Sequence, residues 1–470
     1  MNENINKTKS AILKNIPSID SLLKIPKAIK WLKEYPRNLV LKALRDAVDT
    51  KRTEILSGES QTVTVTSLIS IAKDRLSAHT SFSLRPVINA TGIVIHTNLG
   101  RAPLCKSAIE NTALVASGYS TLEYDLKTGK RGKRYVHIQG ILRDLTAAED
   151  AFVVNNNAAA VFLCLIALAK GREVIISRGE LVEIGGSFRI PDIMAHTGAV
   201  LKEIGTTNKT HLYDYERAIT ENTAVILKVH RSNFQITGFT EEVGIEEIAA
   251  VAKRAGIPVM YDLGSGCLAD LLPYRMHDEP VVGNIVKKGV DIITFSADKL
   301  LGGPQCGVIV GRKDLIEAVR THPLARMVRV DKFAISALEA TLMEYVDADK
   351  SFKNIPVLRM LTEDIKEIKK RAVRLAAGIK GQTSGSLEVA MIKDSSYAGG
   401  GSLPGHEFAT YAVTLRPKGQ TVNELEARLR SSNPPVIARI RGDMLVLDAR
   451  TVNDKEVKAI IDMSKTWRVA

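Results

Sequence analysis

The sequence Ser296-Ala297-Asp298-Lys299-Leu300-Leu301-Gly302-Gly303-Pro304-Gln305-Cys306-Gly307 decides the fold expected of this chain. Apolar runs rich in β-branched residues flank it at 290–295 and 308–310 and predict two strands. A lysine held where a strand ends, among small residues that let a planar ligand approach, is placed to form a Schiff base. An ordinary surface lysine in a β-turn is the alternative. The residues upstream of Lys299 must therefore decide between the two interpretations.

Asp262 is the upstream residue that gives Lys299 a chemical role. It lies in segment 259–266, where an apolar run ends in a glycine-rich turn. An aspartate there could bind a ribose, a metal or a protonated ring nitrogen. Because no second carboxylate lies nearby in sequence, we expect no metal site. Pyridoxal phosphate enzymes need this pair: the aspartate keeps the ring nitrogen protonated, and the lysine carries the aldehyde as a covalent imine.

A phosphate site is predicted at the start of a helix that follows the strand 151–154. Asn156, Asn157 and Ala158 open this helix, where free backbone N–H groups and the helix dipole favour an anion. Asparagine is also simply a good N-cap, so the signal is weak by itself. The order of phosphate helix, ring acid and lysine is that of the aspartate-aminotransferase-like fold.

Further apolar runs at 173–177, 200–205 and 224–229 alternate with helical patterns, which predicts an α/β fold with a mostly parallel sheet. The run 224–229 ends in a polar cluster, at the sheet edge where such folds bind ligands. From these strand ends we add three residues to the expected cofactor site: Ser232, Asn233 and Ser296.

Three domains are expected from a chain of 470 residues. They are a basic helical domain with its linker (1–84), a large cofactor-binding domain (85–330) and a small α/β domain (331–470). Within them we predict helices at 37–56, 67–78, 334–345, 354–375 and 422–429, and strands at 408–415 and 444–447. Residues 85–101 predict two short strands separated by Thr-Gly.

Composition restricts where the protein works and what it binds. Four cysteines without CxxC spacing, and a start at residues 1–7 without an apolar signal sequence, indicate a cytoplasmic protein with neither structural zinc nor export. The chain has no apolar run long enough to cross a membrane. A net charge of +13 and a pI near 9.4 allow a polyanionic partner, with nucleic acid first.

The positive charge is concentrated at the N-terminus. Residues 1–80 contain 14 Lys and Arg against 8 Asp and Glu. Such a helical segment can hold a phosphate backbone or serve oligomer contacts. The basic stretch 127–134 could contact nucleic acid or an anionic substrate, or be a solvated loop. The glycine-rich stretch 399–405 is either a loop that closes over the site or a passive connector.

Several motifs closely resemble bacterial L-seryl-tRNA(Sec) selenium transferases, the selenocysteine synthases. The matching stretches are RPVINATGIVIHTNLGRAPL from Arg85, GYSTLEYDL from Gly118, EIGTTNKT from Glu203, YDLGSG from Tyr261 and SADKLLGGPQCG from Ser296. They span most of the chain. The resemblance implies a fold-type-I pyridoxal phosphate transferase with a tRNA-binding helical N-terminal domain.

The resemblance also implies the reaction. L-Seryl-tRNA(Sec) is converted to L-selenocysteinyl-tRNA(Sec): Lys299 removes the α-proton, the serine hydroxyl is eliminated to give an aminoacrylyl intermediate, and selenium from selenophosphate adds. Asp298, beside the lysine, is expected to tune or assist proton transfer. The resemblance implies that Arg85, Arg326 and Arg329 bind the selenophosphate anion, and ordinary surface charge is the alternative for the arginine-rich segment. Members of the family assemble as homo-oligomers, usually decamers built as rings of dimers.

Two other functions stay open. Shorter relatives that share the lysine segment act on small amino acids or sugar acids without tRNA, but they lack the N-terminal helical domain. A catalytically idle tRNA-binding scaffold is the second alternative, and the intact Asp262 and Lys299 argue against it.

Overall fold

The computed structural model describes residues 10–58, 62–80, 82–184, 188–277 and 279–467. The chain divides into two compact units, 1–86 and 87–470. The first nine residues, where sequence analysis expects no export signal, lie outside the described ranges. No described helix is long and apolar enough to cross a membrane.

The first unit is helical. Residues 10–14 are helical, and the described helices that follow are α1 (Ile19–Leu23), α2 (Pro26–Glu34), α3 (Arg37–Ser57) and α4 (Val65–Thr80). Apolar side chains at helical spacing on α3 and α4, such as Val40, Leu44, Leu68 and Ala72, share one buried cluster. The two helices predicted at 37–56 and 67–78 are thereby confirmed, each with slightly wider bounds.

The strands of the second unit belong to one large sheet, one small sheet and three two-stranded pairs. The strands are β1 (Ile88–Asn89), β2 (Tyr124–Asp125), β3 (Lys130–Arg131), β4 (Asp150–Val154), β5 (Glu173–Ser177), β6 (Glu183–Ile184), β7 (Phe188–Arg189), β8 (Val200–Ile204), β9 (Thr223–Val229), β10 (Val259–Gly264), β11 (Ile292–Ser296), β12 (Gly307–Gly311), β13 (Leu387–Tyr397), β14 (Glu407–Pro417), β15 (Val436–Ile437), β16 (Arg439–Arg441) and β17 (Met444–Asp448).

The helices of the second unit cover the sheets. They are α5 (Lys106–Ala116), α6 (Val136–Thr146), α7 (Asn157–Ala169), α8 (Ile190–Thr197), α9 (Leu212–Ala218), α10 (Ile245–Ala255), α11 (Val282–Lys287), α12 (Lys313–Thr321), α13 (Lys332–Glu344), α14 (Ala348–Asn354), α15 (Pro356–Thr362), α16 (Ile365–Thr383), α17 (Val422–Arg430) and α18 (Asp454–Met463).

The large sheet has seven strands in the order β4-β12-β11-β10-β9-β5-β8. β12 runs antiparallel to both of its neighbours, and the other pairings are parallel. Alternate residues of one strand enter opposite cores: Met260 packs in the core on one face and Tyr261 in the core on the other. Burial on both faces is typical of parallel sheets, so the predicted mostly parallel α/β sheet is confirmed.

The small sheet is antiparallel, in the order β13-β14-β17-β16. The strands predicted at 408–415 and 444–447 are β14 and β17. This sheet belongs to the same compact unit as the large one, and a domain boundary at 330 stays a prediction.

Two sequence predictions are wrong in detail. The single helix predicted over 354–375 is instead two helices, α15 and α16, because Pro356 starts α15 and Asp364 caps α16 by accepting the backbone N–H of Lys366. The second short strand after Thr-Gly does not form. Instead, Ile93 makes an isolated bridge to Tyr397, and the Ile95 amide bonds the carbonyl of Ala398 at 2.7 Å.

Candidate active site

Lys299 is a buried residue, not a surface turn lysine. It follows β11 in a tight turn, and its residue is 6% exposed. The turn is held by backbone hydrogen bonds from Leu300 to Ser265 (3.1 Å) and from Gly303 to Ala297 (2.8 Å). Burial lowers the pKa of the Lys299 ammonium, and Asp262 opposes that shift. A buried amine with a lowered pKa is suited to nucleophilic and proton-transfer chemistry.

Asp262, on β10, is 2% exposed and is brought to the lysine by the sheet. Its Oδ1 accepts hydrogen bonds from Asn157 Nδ2 (2.8 Å) and Thr294 Oγ1 (3.1 Å). Burial raises the pKa of the Asp262 carboxyl, while Asn157 and Lys299 act in the opposite direction. The two residues that sequence analysis paired therefore interact electrostatically inside the fold.

The predicted phosphate helix begins where expected. Asn156 is the N-cap of α7, and its Oδ1 accepts the backbone N–H of Ala159 at 2.8 Å. Asn157 is occupied with Asp262, as above, and Ala158 lies in the first turn. A Cβ on Gly307 of β12 would lie 2.1 Å from the Asn156 carbonyl oxygen, so only glycine lets the strand after the lysine turn pass this helix.

Ser232 lies beside the lysine. The side chain of Asn233 bonds elsewhere, and Ser296 is a buried residue at the end of β11. A Cβ on Gly264 or Gly401 would lie 3.4 Å from Ser232 Oγ and 3.9 or 3.5 Å from Lys299 Nζ. The exposed Asn233 donates its amide to the Glu183 carbonyl at 3.1 Å. Ser296 ends β11 and is 7% exposed.

Asp298 is paired with Arg101, a residue to which sequence reasoning gave no role. Arg101 Nη1 donates to Asp298 Oδ2 at 2.7 Å, and the Asp298 carbonyl accepts the Ala102 amide at 3.2 Å. The two partners are separated by 197 positions, so no local sequence pattern indicates that they form an ion pair. The one local sign of an unusual backbone at Arg101, whose φ is 62°, is its place in the Asn-Leu-Gly-Arg loop after Gly100.

Arg326 and Arg329 line a cavity of about 330 Å³ with Arg131, Arg134 and Arg320. Their segment runs beside the end of β4, since the Asn155 amide bonds the Val328 carbonyl at 2.8 Å and Arg329 bridges Val154. Both arginines are exposed. Arg85 is an exposed residue of the first unit, and its role as an anion ligand stays a prediction.

The basic stretch 127–134 is partly neutralised by its own surroundings. It contributes β3 to a short hairpin, and Glu123 pairs with Arg131 at 3.2 Å and with Arg134 at 2.8 Å. This stretch is therefore not a fully solvated cationic loop, because two of its arginines are paired with Glu123.

The pocket fits pyridoxal phosphate. Among the described residues, Asn157 Oδ1 and His230 Nε2 are buried atoms without a hydrogen-bond partner, and both residues flank Asp262. Burial lowers the pKa of His230 to about 4, so its ring is neutral at pH 7. Polar atoms left unsatisfied around a buried acid and lysine are what a polar planar ligand needs.

Comparison with known proteins agrees with this geometry. The sequence model of the family described as L-seryl-tRNA selenium transferase matches residues 87–453, and one described as selenocysteine synthase N terminal matches residues 13–52.

Curated relatives extend the match to nearly the whole chain. An L-seryl-tRNA(Sec) selenium transferase of Clostridium botulinum (strain Okra / Type B1) is 47% identical, covering 97% of this chain and 99% of the relative. One of Alkaliphilus metalliredigens (strain QYMF) is 48% identical with the same coverage.

A solved structure of D-glucosaminate-6-phosphate ammonia-lyase shares the fold, with a TM-score of 0.55 at 21% identity, covering 82% of this chain and 96% of that one. The architecture is thus the fold-type-I α/β arrangement that the sequence predicts. From the family match and the near-complete alignment with curated relatives, we conclude that this chain belongs to the L-seryl-tRNA selenium transferase family.

Proposed function

We propose that this protein converts L-seryl-tRNA(Sec) to L-selenocysteinyl-tRNA(Sec), with pyridoxal phosphate as cofactor and selenophosphate as selenium donor. The observation that carries the proposal is the buried Lys299 facing Asp262 in a chain of this family. Lys299 and Asp262 are buried together without a direct ion pair, unlike the buried pair Lys228–Glu180 at 2.9 Å. Burial of incompletely paired charges is costly, which favours a catalytic role over an idle scaffold.

Three groups of this chain would hold the cofactor. Lys299 would bind it through Nζ, Asp262 would hold the proton of the ring nitrogen, and the start of α7 at residues 156–158 would receive the phosphate. When bound, pyridoxal phosphate supplies an electron sink for the bond broken at the substrate α-carbon.

Lys299 is the proposed base for the α-proton of the esterified serine. Because burial lowers its pKa, Nζ can take up and return a proton closer to neutral pH than an exposed lysine could. The serine oxygen leaves with a proton as water. The selenium of selenophosphate bonds to the β-carbon in its place while a proton returns to the α-carbon, and water cleaves the P–Se bond so that phosphate is released. Asp298, held by Arg101, orients the lysine turn and assists this proton transfer.

Selenophosphate needs cationic ligands, for which we propose Arg326 and Arg329 together with Arg85. Arg329 bridges Val154 at the end of β4, directly before the proposed phosphate helix, and Arg326 lines the same cavity as Arg329. Guanidinium groups suit a phosphate-like anion because they donate two parallel hydrogen bonds.

The first unit is the proposed tRNA-binding domain. Twelve cations are exposed among the described residues of this unit: Lys14, Lys24, Lys27, Lys30, Lys33, Arg37, Lys42, Arg45, Arg52, Lys73, Arg75 and Arg85. Such a surface binds a phosphate backbone in a salt-dependent manner. Deleting residues 1–80 should abolish tRNA binding in a gel-shift assay while the cofactor stays bound, and retained tRNA affinity would refute this assignment.

We further propose the domain bounds 1–84, 85–330 and 331–470, a cytoplasmic location, and assembly as a decamer built as a ring of dimers. The assembly has a direct test. Mass photometry of the full chain should show a species ten times the 51.3 kDa of one subunit, and a monomer or simple dimer would contradict the proposal.

Incubation with seryl-tRNA(Sec) and selenophosphate, followed by identification of the esterified amino acid, tests the function. We expect selenocysteine with the unaltered protein and unchanged serine with Lys299→Ala and Lys299→Arg, the latter being the charge-matched control. Unchanged serine with the unaltered, cofactor-loaded protein would instead favour a small amino acid or sugar acid as substrate.

A further inference from the structure

Three consecutive glycines cover the lysine pocket. Gly399, Gly400 and Gly401 have φ values of 75°, 60° and 70°. A Cβ on Gly399 would lie 2.3 Å from Ile93 Cγ2, and one on Gly400 would lie 2.8 Å from the Ile95 carbonyl oxygen. Gly401 lies next to Lys299 Nζ, as described above, so the segment brings its backbone against the lysine. A Cβ does not fit at Gly399 and Gly400, and the positive φ of all three residues favours glycine.

Glu279 is a buried carboxyl that bonds the backbone of Leu403, two residues after the three glycines. It is 6% exposed. One of its oxygens accepts the Ser265 hydroxyl, and the other accepts the backbone N–H of Leu403 at 3.3 Å. The backbone carbonyl of Ser265 in turn accepts the backbone N–H of Leu300, the residue after Lys299. Glu279 thus links the glycine segment to the turn that carries the lysine.

Leu403 is held in an unfavourable conformation at this point. Its φ of 49° lies in the left-handed region, which is costly for a leucine, and its side chain is buried. Such a conformation persists only where the surroundings fix it. The hydrogen bond to Glu279 is one of the contacts that do so.

We propose that Glu279 is a positioning residue, which fastens segment 399–403 over the pocket so that Gly401 stays against Lys299. The proposal rests on the proposed function, because it takes Lys299 as the reacting amine. It assigns no contact between Glu279 and substrate or cofactor.

The hydrogen bond between Glu279 and the Leu403 amide should depend on pH. Burial raises the pKa of Glu279 to about 7, against the opposing effects of Ser265, Leu403 and Lys299. The other titratable groups that respond to its charge are Tyr261 and Cys267, which stay neutral at pH 7 because burial raises their pKa. The charged carboxylate is the stronger acceptor, so the bond to Leu403 should strengthen from pH 6 to pH 8.

Hydrogen exchange of the Leu403 amide in the cofactor-free protein tests the proposal. In Glu279→Gln, we expect this amide to exchange at least about tenfold faster than in the unaltered protein. Amides of β17 should be unchanged. Gln235→Ala is the matched control, because it removes a different tie to the same loop, from Gln235 Nε2 to the Pro404 carbonyl (2.7 Å). It should leave Leu403 protected.

Equal exchange of Leu403 in Glu279→Gln and the unaltered protein would overturn the proposal, as would equal acceleration of the β17 amides. If Glu279→Gln fails to fold, the unaltered protein still decides: Leu403 protection, corrected for intrinsic exchange, must rise from pH 6 to pH 8. This readout needs neither cofactor nor tRNA. A failed selenium-transfer assay would therefore leave it intact, and its own failure would leave the proposed function intact.

Turnover gives a second readout. In the loaded enzyme, Glu279→Gln should lower kcat about tenfold with little change in KM for the tRNA, since the residue orients the reacting groups and does not bind substrate. A selective rise in KM would contradict a positioning role.

Discussion

Asp262 and Asp448 are two carboxylates of the same unit that are buried to nearly the same extent, 2% and 0% exposed. Asp448, in the small sheet, has a cation at 3.2 Å and two hydrogen-bond donors on each oxygen. The donors are Thr410 Oγ1, the Arg450 amide, Ser396 Oγ and Arg439 Nη2. Its charge is fully compensated by the chain itself.

Asp262 is compensated only in part. Its side-chain donors, Asn157 and Thr294, both bond the same oxygen, and the Gly264 backbone adds a further bond. Within the described ranges, no cation lies within ion-pair distance of it. Incomplete compensation of a buried charge is costly. The difference therefore supports a structural role for Asp448 and the proposed ligand-binding role for Asp262, since perturbed buried carboxyls cluster at functional sites.

The largest expected effect comes from Asp262→Asn. Without a carboxylate to hold the proton of the ring nitrogen, selenium transfer should fall by at least about 1,000-fold. The free energy of unfolding should not decrease, because the substitution removes a buried charge whose pKa is raised. Selenocysteine formation and urea denaturation measure the two effects. A large loss of stability without loss of activity would show that Asp262, like Asp448, stabilises the fold and does not serve the cofactor.

Asp448→Asn should have the opposite profile. It leaves Arg439 paired only with Asp394 and places an amide among donors, so the free energy of unfolding should fall by about 2–4 kcal/mol. Selenium transfer per folded molecule should stay within about twofold. Denaturant unfolding and an activity assay normalised to folded protein check both expectations, and an activity loss like that of Asp262→Asn would contradict them.

Gly92→Ala probes Asp448 from the other side. Gly92 has a φ of 77°, and a Cβ there would lie 2.1 Å from Asp448 Oδ2. We expect a loss of about 2–3 kcal/mol from combined backbone strain and collision. Gly442→Ala is the matched control: it also has a positive φ, 58°, but nothing lies within 4 Å of its Cβ position. The control should cost about 1 kcal/mol, and equal losses would show that the collision with Asp448 is unimportant.

The smallest effect is a pH dependence confined to the lysine pocket. The folded protein holds His230 with a pKa of about 4, below the 6.5 of an exposed histidine. The unfolded imidazole therefore binds more protons than the folded one between these values, so His230 lowers the free energy of unfolding as the pH drops from 6.5 to 4. The raised pKa values of Glu279 and Asp262 act in the opposite direction, so the contribution of His230 is measured by comparing variants. Relative to the unaltered protein, His230→Asn should raise the free energy of unfolding at pH 4 by about 1–2 kcal/mol more than at pH 6.5. Thermal unfolding across this pH range measures it.

Local patterns predicted the parts of the site that lie on regular elements. Lys299, Asp262 and Asn156 each follow or belong to an apolar strand, so their places could be predicted from strand ends. Arg101 and Glu279 could not, because their contacts with Asp298 and Leu403 join segments more than a hundred residues apart. Pro356 is a sequence signal for a helix break, but the apolar periodicity on both sides of it predicts one continuous helix.

The position of β12 has a consequence for synthesis of the chain. β4 is complete at residue 154, but the strand that covers its edge, β12, begins only at residue 307. A ribosome-bound chain of intermediate length therefore exposes an apolar, unpaired strand edge, which is prone to intermolecular pairing. The lysine turn emerges just before β12, which lies between β4 and β11 in the folded sheet. We therefore expect the lysine pocket to form and the β4 edge to be covered in the same late stage of synthesis.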